Sequence, residues 1–155
     1  MLAPRHEIVA LLVRHRSEAL ARLPHDMATV AAVCGFEALL KLVASRGGRR
    51  IRISHERGSK QTALASVVGK AAAREIGRQF GGTRIDIMPI GGMSRLYRAL
   101  RSGELIREGK GTSEIAAALG VCHRTAGRYA QAMAAREARA EAKRRARPAR
   151  GGTVQ

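Results

Sequence analysis

The chain has no tryptophan and only two tyrosines and two phenylalanines in 155 residues. Recognition of RNA and of single strands leans on aromatic faces that stack on bases, so this composition disfavours both. Cysteine is equally scarce. Cys34 and Cys122 are far apart and have no His or Cys neighbours at ligand spacing, which leaves neither a zinc site nor a disulfide framework. Free thiols fit a reducing compartment, and the cytoplasm is the expected location. No run of about 20 apolar residues and no signal-peptide core is evident, so neither membrane insertion nor export is expected.

Negative charge is also in short supply. Twelve acidic residues face 29 basic ones, giving a formal net charge of +17 and a pI near 11.6. Only five of the 29 are Lys and 24 are Arg, whose planar fork binds phosphates and guanine edges in a bidentate way. A GC-rich genome would also raise Arg content, without any function. Residues 1–90 carry 15 basic and 7 acidic residues and residues 91–155 carry 14 and 5, so the excess is not confined to a tail. Such an excess calls for a polyanionic partner, and with stacking residues scarce that partner is expected to be double-stranded DNA.

His6 to Leu23 spaces Ile8, Leu11, Leu12, Ala19, Leu20 and Leu23 as one face of an amphipathic helix that Pro24 ends. Asp26 fits as the N-cap of a second helix reaching about Ser45, with Met27, Val30, Val33, Cys34, Leu39, Leu40 and Val43 on its apolar side. Gly47-Gly48 stops it, and Arg49 to Ser54 (RRIRIS) alternates as a short strand does. The pattern then recurs 34 residues further on. Residues 33–54 and 67–88 agree at eight of 22 positions, among them Gly35/Gly69, Gly47/Gly81, Gly48/Gly82, Ile51/Ile85 and Ile53/Ile87. Two copies are too few for a solenoid, so a duplicated helix–Gly-Gly–strand unit is the simpler account. The second helix is expected to start near Ser59 and to bury Ala63, Leu64, Val67, Val68, Ala71, Ala72, Ile76 and Phe80. Gly35 and Gly69 fall inside helices, where Gly costs about 1 kcal/mol against Ala. Close crossing of two backbones would offset that cost, and a small residue beside a bulky one is the plainer alternative. The Gly-Gly pairs follow helices and precede strands, the reverse of a phosphate loop, so no nucleotide site and no cofactor is expected.

Met88 to Met93 (MPIGGM) reads as a linker, with residues 89–93 at its centre. One helix or two short ones follow from Ser94 to about Glu108, with Leu96, Leu100, Leu105 and Ile106 apolar and Gly103 a weak point. Thr112 to Gln131 (TSEIAAALGVCHRTAGRYAQ) then outlines two short helices around a tight turn. Thr112 or Ser113 can cap the first, Ile115, Ala116 and Leu119 give it an apolar stripe, and Gly120 supplies a turn with positive φ. Ala126 and Tyr129 would face back, leaving His123, Arg124, Arg128 and Gln131 outward. That is the pattern of a helix-turn-helix, although an ordinary helical hairpin fits the same residues. Residues 136–155 carry seven basic and two acidic side chains and read as a basic tail; its first half can prolong the last helix, and Pro148 with the following Gly pair points to a disordered end.

The two segments GGRRIRI and GGTRIDI, followed by LGVCHRTAGRYA, resemble the Mor transcription activator family of Mu-like phages. The likeness covers roughly residues 27–133 and rests on residues including Gly35, Gly47, Gly48, Ile51 and Ile53, their second-copy equivalents, Pro89, and Arg124, Thr125 and Arg128. Arg52 and Asp86 stand where that family often has an aromatic, and Cys122 where it has a Ser cap. The resemblance implies a homodimer with intertwined N-terminal helices and strands paired about the dyad. It also implies promoter binding and a contact with RNA polymerase.

The expected fold is therefore mainly α with short β-strands. A duplicated helix–GG–strand dimerisation domain over 1–88 joins a C-terminal three-helix helix-turn-helix over 94–135. The expected function is a dimeric, sequence-specific DNA-binding transcription regulator, of the phage or prophage activator type. Arg124 and Arg128 would read guanine edges, with His123, Thr125 and Gln131 beside them; Arg49, Arg50, Arg52 and Arg84 would touch phosphates or a minor groove. An architectural or packaging protein with little sequence preference is the alternative. Enzymatic chemistry is not expected, because Asp26, Glu37, Glu75 and Asp86 show no metal-nuclease spacing and Ser54 and Ser59 lack room for a recombinase site.

Overall fold

The computed structural model describes residues 3–54 and 62–145. It is mainly helical, with eight helices and one short two-stranded antiparallel sheet among the described residues. The chain divides into two compact units, residues 1–100 and 101–155.

Unit 1 begins with α1 (Arg5–Arg14) and α2 (Arg16–Arg22), where a single helix was expected; the backbone breaks at His15, with φ −106° and ψ 37°. No Gly or Pro marks that break. α3 (His25–Arg46) starts directly after Pro24, so Asp26 lies in its first turn and is not the cap. By length and composition α3 could span a membrane, against the reading that no such run exists. Half of that stretch is buried within the protein, and its buried residues Met27, Val30, Ala31, Phe36, Leu39, Leu40, Leu42 and Val43 line the core. Val33, expected inside, is 40% exposed. After β1 (Arg50–Arg52) come α4 (Thr62–Val68), α5 (Lys70–Phe80) and β2 (Arg84–Asp86). Val68, Ala73 and Ile76 are buried, whereas Ala63 and Ala71 are exposed, contrary to expectation. The proposed cap Ser59 lies outside the described residues.

The 34-residue spacing recurs in the backbone angles. Gly35 and Gly69 have φ of 83° and 92°, and Gly48 and Gly82 have φ of 77° and 80°. Gly35 interrupts α3 and Gly69 separates α4 from α5. The expectation of backbones crossing closely at these glycines is overturned, since a Cβ built on either one meets nothing within 4 Å. What demands glycine is conformation: positive φ with extended ψ is a region that L side chains hardly enter.

The strands of the two copies pair with each other. Arg50 faces Asp86, Ile51 faces Ile85 and Arg52 faces Arg84. Flanking bonds continue the symmetry: the Gly48 and Gly82 N–H groups donate to the carbonyls of Ile87 and Ile53, and those of Ile87 and Ile53 donate to Arg49 and Thr83, each at 2.9 Å. Moving every residue of this set by 34 positions exchanges the bonds with one another. The ribbon therefore has an internal two-fold axis at Ile51/Ile85, and the strand pairing that the resemblance places between protomers is made within one chain. Ile53, Ile85 and Ile87 face the core and leave the Arg side of the ribbon exposed.

α6 (Ile90–Arg107) begins inside the stretch expected to be a linker, with Pro89 accepting from the Gly92 N–H at 2.8 Å. Burial of Met93, Leu96 and Leu100 in the first core outweighs the helix cost of Gly91 and Gly92. Gly103 is no weak point; the helix runs through it, and the end of the Met133 side chain lies 3.4 Å from where its Cβ would be. α7 (Thr112–Leu119) and α8 (His123–Arg145) complete unit 2. Its core joins Leu105, Ile115, Leu119 and Ala126 with half-buried Ile106, Ala116, Val121 and Tyr129. Residues 136–145 prolong α8, the outcome the sequence leaves open for the first half of the basic segment; residues 146–155, where a disordered end is expected, lie outside the described range.

Candidate nucleic-acid interface

The turn between α7 and α8 is built from Gly120, Val121 and Cys122. Gly120 is left-handed, with φ 60° and ψ 41°. The Val121 N–H reaches back to the Ala116 carbonyl at 3.0 Å, which satisfies an otherwise orphaned helix-end acceptor. Val121 and Ala116 both pack on the small core, so the residue that closes the bond also fills the angle. α7 begins after Gly111, not at a Thr112 or Ser113 cap. Glu114 accepts from the Gly111 N–H at 2.9 Å and pairs with Lys110 at 3.2 Å. Gly111 has no side chain to return the bond, so only half of a capping box exists. The Gly111 N–H, followed by Lys110, holds the Glu114 carboxyl below its usual range.

At the start of α8 the Cys122 carbonyl accepts from the Thr125 and Ala126 N–H groups, and its Sγ lies 3.2 Å from Thr125 Oγ1. These contacts, the Thr125 side chain foremost, draw the thiol below its ordinary value. Thr125 is half-buried and its hydroxyl is engaged in this cap, which makes it a poorer base contact than expected. His123, Arg124, Arg128 and Gln131 are exposed. At about 100° per residue, Arg124, Arg128 and Gln131 span roughly 60° of the helix surface, opposite buried Ala126 and Met133. His123 stands roughly a quarter turn to the side. Three of the expected contacts thus share one open face.

The second expected group lies in unit 1, on the ribbon. Arg49, Arg50, Arg52 and Arg84 are all exposed. Arg50 is not a free cation: its Nε and Nη2 donate to the two Asp86 oxygens at 2.7 and 2.8 Å. That bond holds the Asp86 carboxyl below its usual range and raises the Arg50 guanidinium. The pair related to it by the internal two-fold is Arg84/Arg52, where Arg52 occupies the position of Asp86. Two like charges therefore face each other directly, an arrangement that destabilises a ribbon. Among the described residues neither has an ion-pair partner. The role of Asp86 as the partner of Arg50 follows from the strand register, which residue types alone do not give.

Among the described residues, no group of three or more His, Cys, Asp or Glu could hold a metal ion. No protein-family model, curated protein or solved structure matches the chain.

Proposed function

We propose that the chain is a sequence-specific regulator of transcription that binds duplex DNA through a helix-turn-helix formed by α7 and α8. The observation that carries this reading is the face of Arg124, Arg128 and Gln131, presented by a helix fixed to α7 through the Gly120 turn. A helix laid in the major groove places its N-terminal residues against base edges, and Arg is the side chain best shaped for guanine. The end of α6, through Leu105 and Ile106, shares a core with α7 and α8, and these make the three-helix unit of the proposal, with the duplicated helix–GG–strand unit as its scaffold. The resemblance to Mor activators supports a phage or prophage-type activator located in the cytoplasm and contacting RNA polymerase.

A homodimer belongs to the same proposal, because a second recognition helix is what a site of two half-sites requires. The strands already have each other as partners, so the contact between copies would be made by other surfaces. The architectural alternative draws on the Arg52/Arg84 pair, which has no acidic partner among the described residues and would suit a phosphate backbone of any sequence.

Selection of binding sites from random duplexes tests the reading. The wild-type chain should enrich one motif, and Arg128→Ala should lose discrimination at one base pair by roughly 5- to 150-fold, the equivalent of ~1–3 kcal/mol. Enrichment of no motif favours the architectural alternative. An unchanged motif in the variant removes Arg128 from the reading set.

A further inference from the structure

The part of α8 beyond its packed half is longer than a helix-turn-helix needs. Met133 is its last buried residue, and Ala134 to Arg145 continue as helix with every described side chain exposed. At ~1.5 Å per residue this extension adds roughly 18 Å to the packed half. Alanine, Glu, Lys and Arg dominate it, all strong helix formers, and Arg145 pairs with Glu141 one turn back.

Apart from Arg145, which lies on the acidic side and pairs with Glu141, its described charges are sorted by side. At about 100° per residue, Arg128, Arg136, Arg139 and Lys143 fall in a strip roughly 80° wide. Glu137 and Glu141 fall roughly 140–180° from the strip's centre. The strip adjoins Arg124 and continues the face that the proposed function turns towards base edges. Residues on one side of one continuous helix meet the same surface. A major groove about 12 Å wide curves away from a straight helix this long, so the far end must leave the bases and run beside a phosphate backbone.

We propose that the C-terminal half of α8 is a second DNA-binding element, in which Arg139 and Lys143 engage phosphates flanking the bases read by Arg124 and Arg128. This rests on the helix-turn-helix reading and extends it: the helix sets both where the protein reads and how far along the backbone it holds. Phosphate contacts fix register and orientation and carry no sequence information of their own.

The test uses the full chain and the duplex recovered by site selection. Binding is measured from low to physiological salt for wild type, Arg139→Gln/Lys143→Gln and Glu137→Gln/Glu141→Gln, with hydroxyl-radical footprints of each. Gln keeps the helix propensity of the residues it replaces. The basic double variant should flatten the log–log salt slope by about 1.8, at ~0.9 per phosphate released, and shorten the footprint at one end without changing the motif. The acidic double variant should leave slope and footprint as they were. An unchanged slope in the basic variant overturns the inference and leaves that strip for another partner, such as an acidic protein surface. Slope changes of equal size in both doubles also overturn it, because net charge and not the strip would then govern. If wild type selects no motif at all, the helix-turn-helix reading fails first, and the two failures are told apart.

Discussion

Arg52→Asp should move stability and DNA affinity in opposite directions. The internal two-fold of the ribbon makes Arg52 the counterpart of Asp86, and Arg84 the counterpart of Arg50. The Arg50–Asp86 end has a two-bond bridge at 2.7 and 2.8 Å, while the other end has two guanidinium groups in register. Placing Asp at 52 rebuilds the bridge at the second end, on backbone that already accommodates it at the first. Removing a directly opposed like-charge pair is worth ~0.2–1 kcal/mol. The new bridge is exposed and adds little in physiological salt. For a chain of this size the expected rise in Tm is roughly 1–3 °C. Arg52→Ala should recover part of that rise, since it removes repulsion without adding attraction. If the ribbon touches phosphates, the same Asp variant withdraws Arg52 and ties up Arg84, and the salt slope of DNA binding should flatten by about 1.8. Thermal melts and salt-dependent titrations on the same preparations decide the matter. A lower Tm would refute the claim that Arg52 and Arg84 repel each other across the ribbon, and an unchanged slope would take the ribbon out of the interface.

Other substitutions follow from the same geometry. Gly69→Ala should cost ~1–3 kcal/mol in urea unfolding, and Gly69→Ser about as much, because strain at φ 92° and not crowding is at stake. A cost that climbs steeply with side-chain size would restore the close-crossing explanation. Cys122→Ser puts a stronger acceptor at the start of α8 and should stabilise it by ~0.5–1 kcal/mol, visible as a raised helical melt; a loss would mean that the present sulfur contact is already the better cap. The carboxyls of Glu37, Glu75, Asp86 and Glu114 are all held below their usual range in the folded protein. A depressed folded value adds stability above the unfolded pKa of about 4, and that stability is lost as pH falls through the folded value. Urea midpoints should therefore drop between about pH 5 and pH 3, less steeply in Glu114→Gln. A midpoint that rises on acidification would contradict the sign.

Much of this architecture could be read from the chain because its signals are local. The GG pairs and the alternating RRIRIS and TRIDI segments announce helix ends and strands by residue type alone. Gly120 announces its turn, and Ala126 and Tyr129 fix which side of α8 is buried, hence which side is open. What stayed hidden depends on partners distant in sequence. The same Gly at 35 and 69 can answer a need for space or for positive φ, and only the empty surroundings choose between them. Arg50 looks like a free cation until the register brings Asp86, 36 residues away, opposite it. MPIGGM reads as a linker because two glycines and a proline outweigh, on paper, the burial of Met93 that holds it helical. The break at His15 carries no residue signal. The Ala-rich run after Met133 can be read as prolonging the last helix, but the 11-residue spacing from Arg128 to Arg139 gains meaning only once that helix is continuous.

The claim on which the rest depends is that the open face of α8 reads base sequence. Competition between the selected duplex and random duplex of equal length, at physiological ionic strength, addresses it directly. The account predicts preference for the selected duplex by about 1,000-fold or more, in the range of specific DNA-binding proteins. Affinities for the two that agree within a few-fold would contradict it.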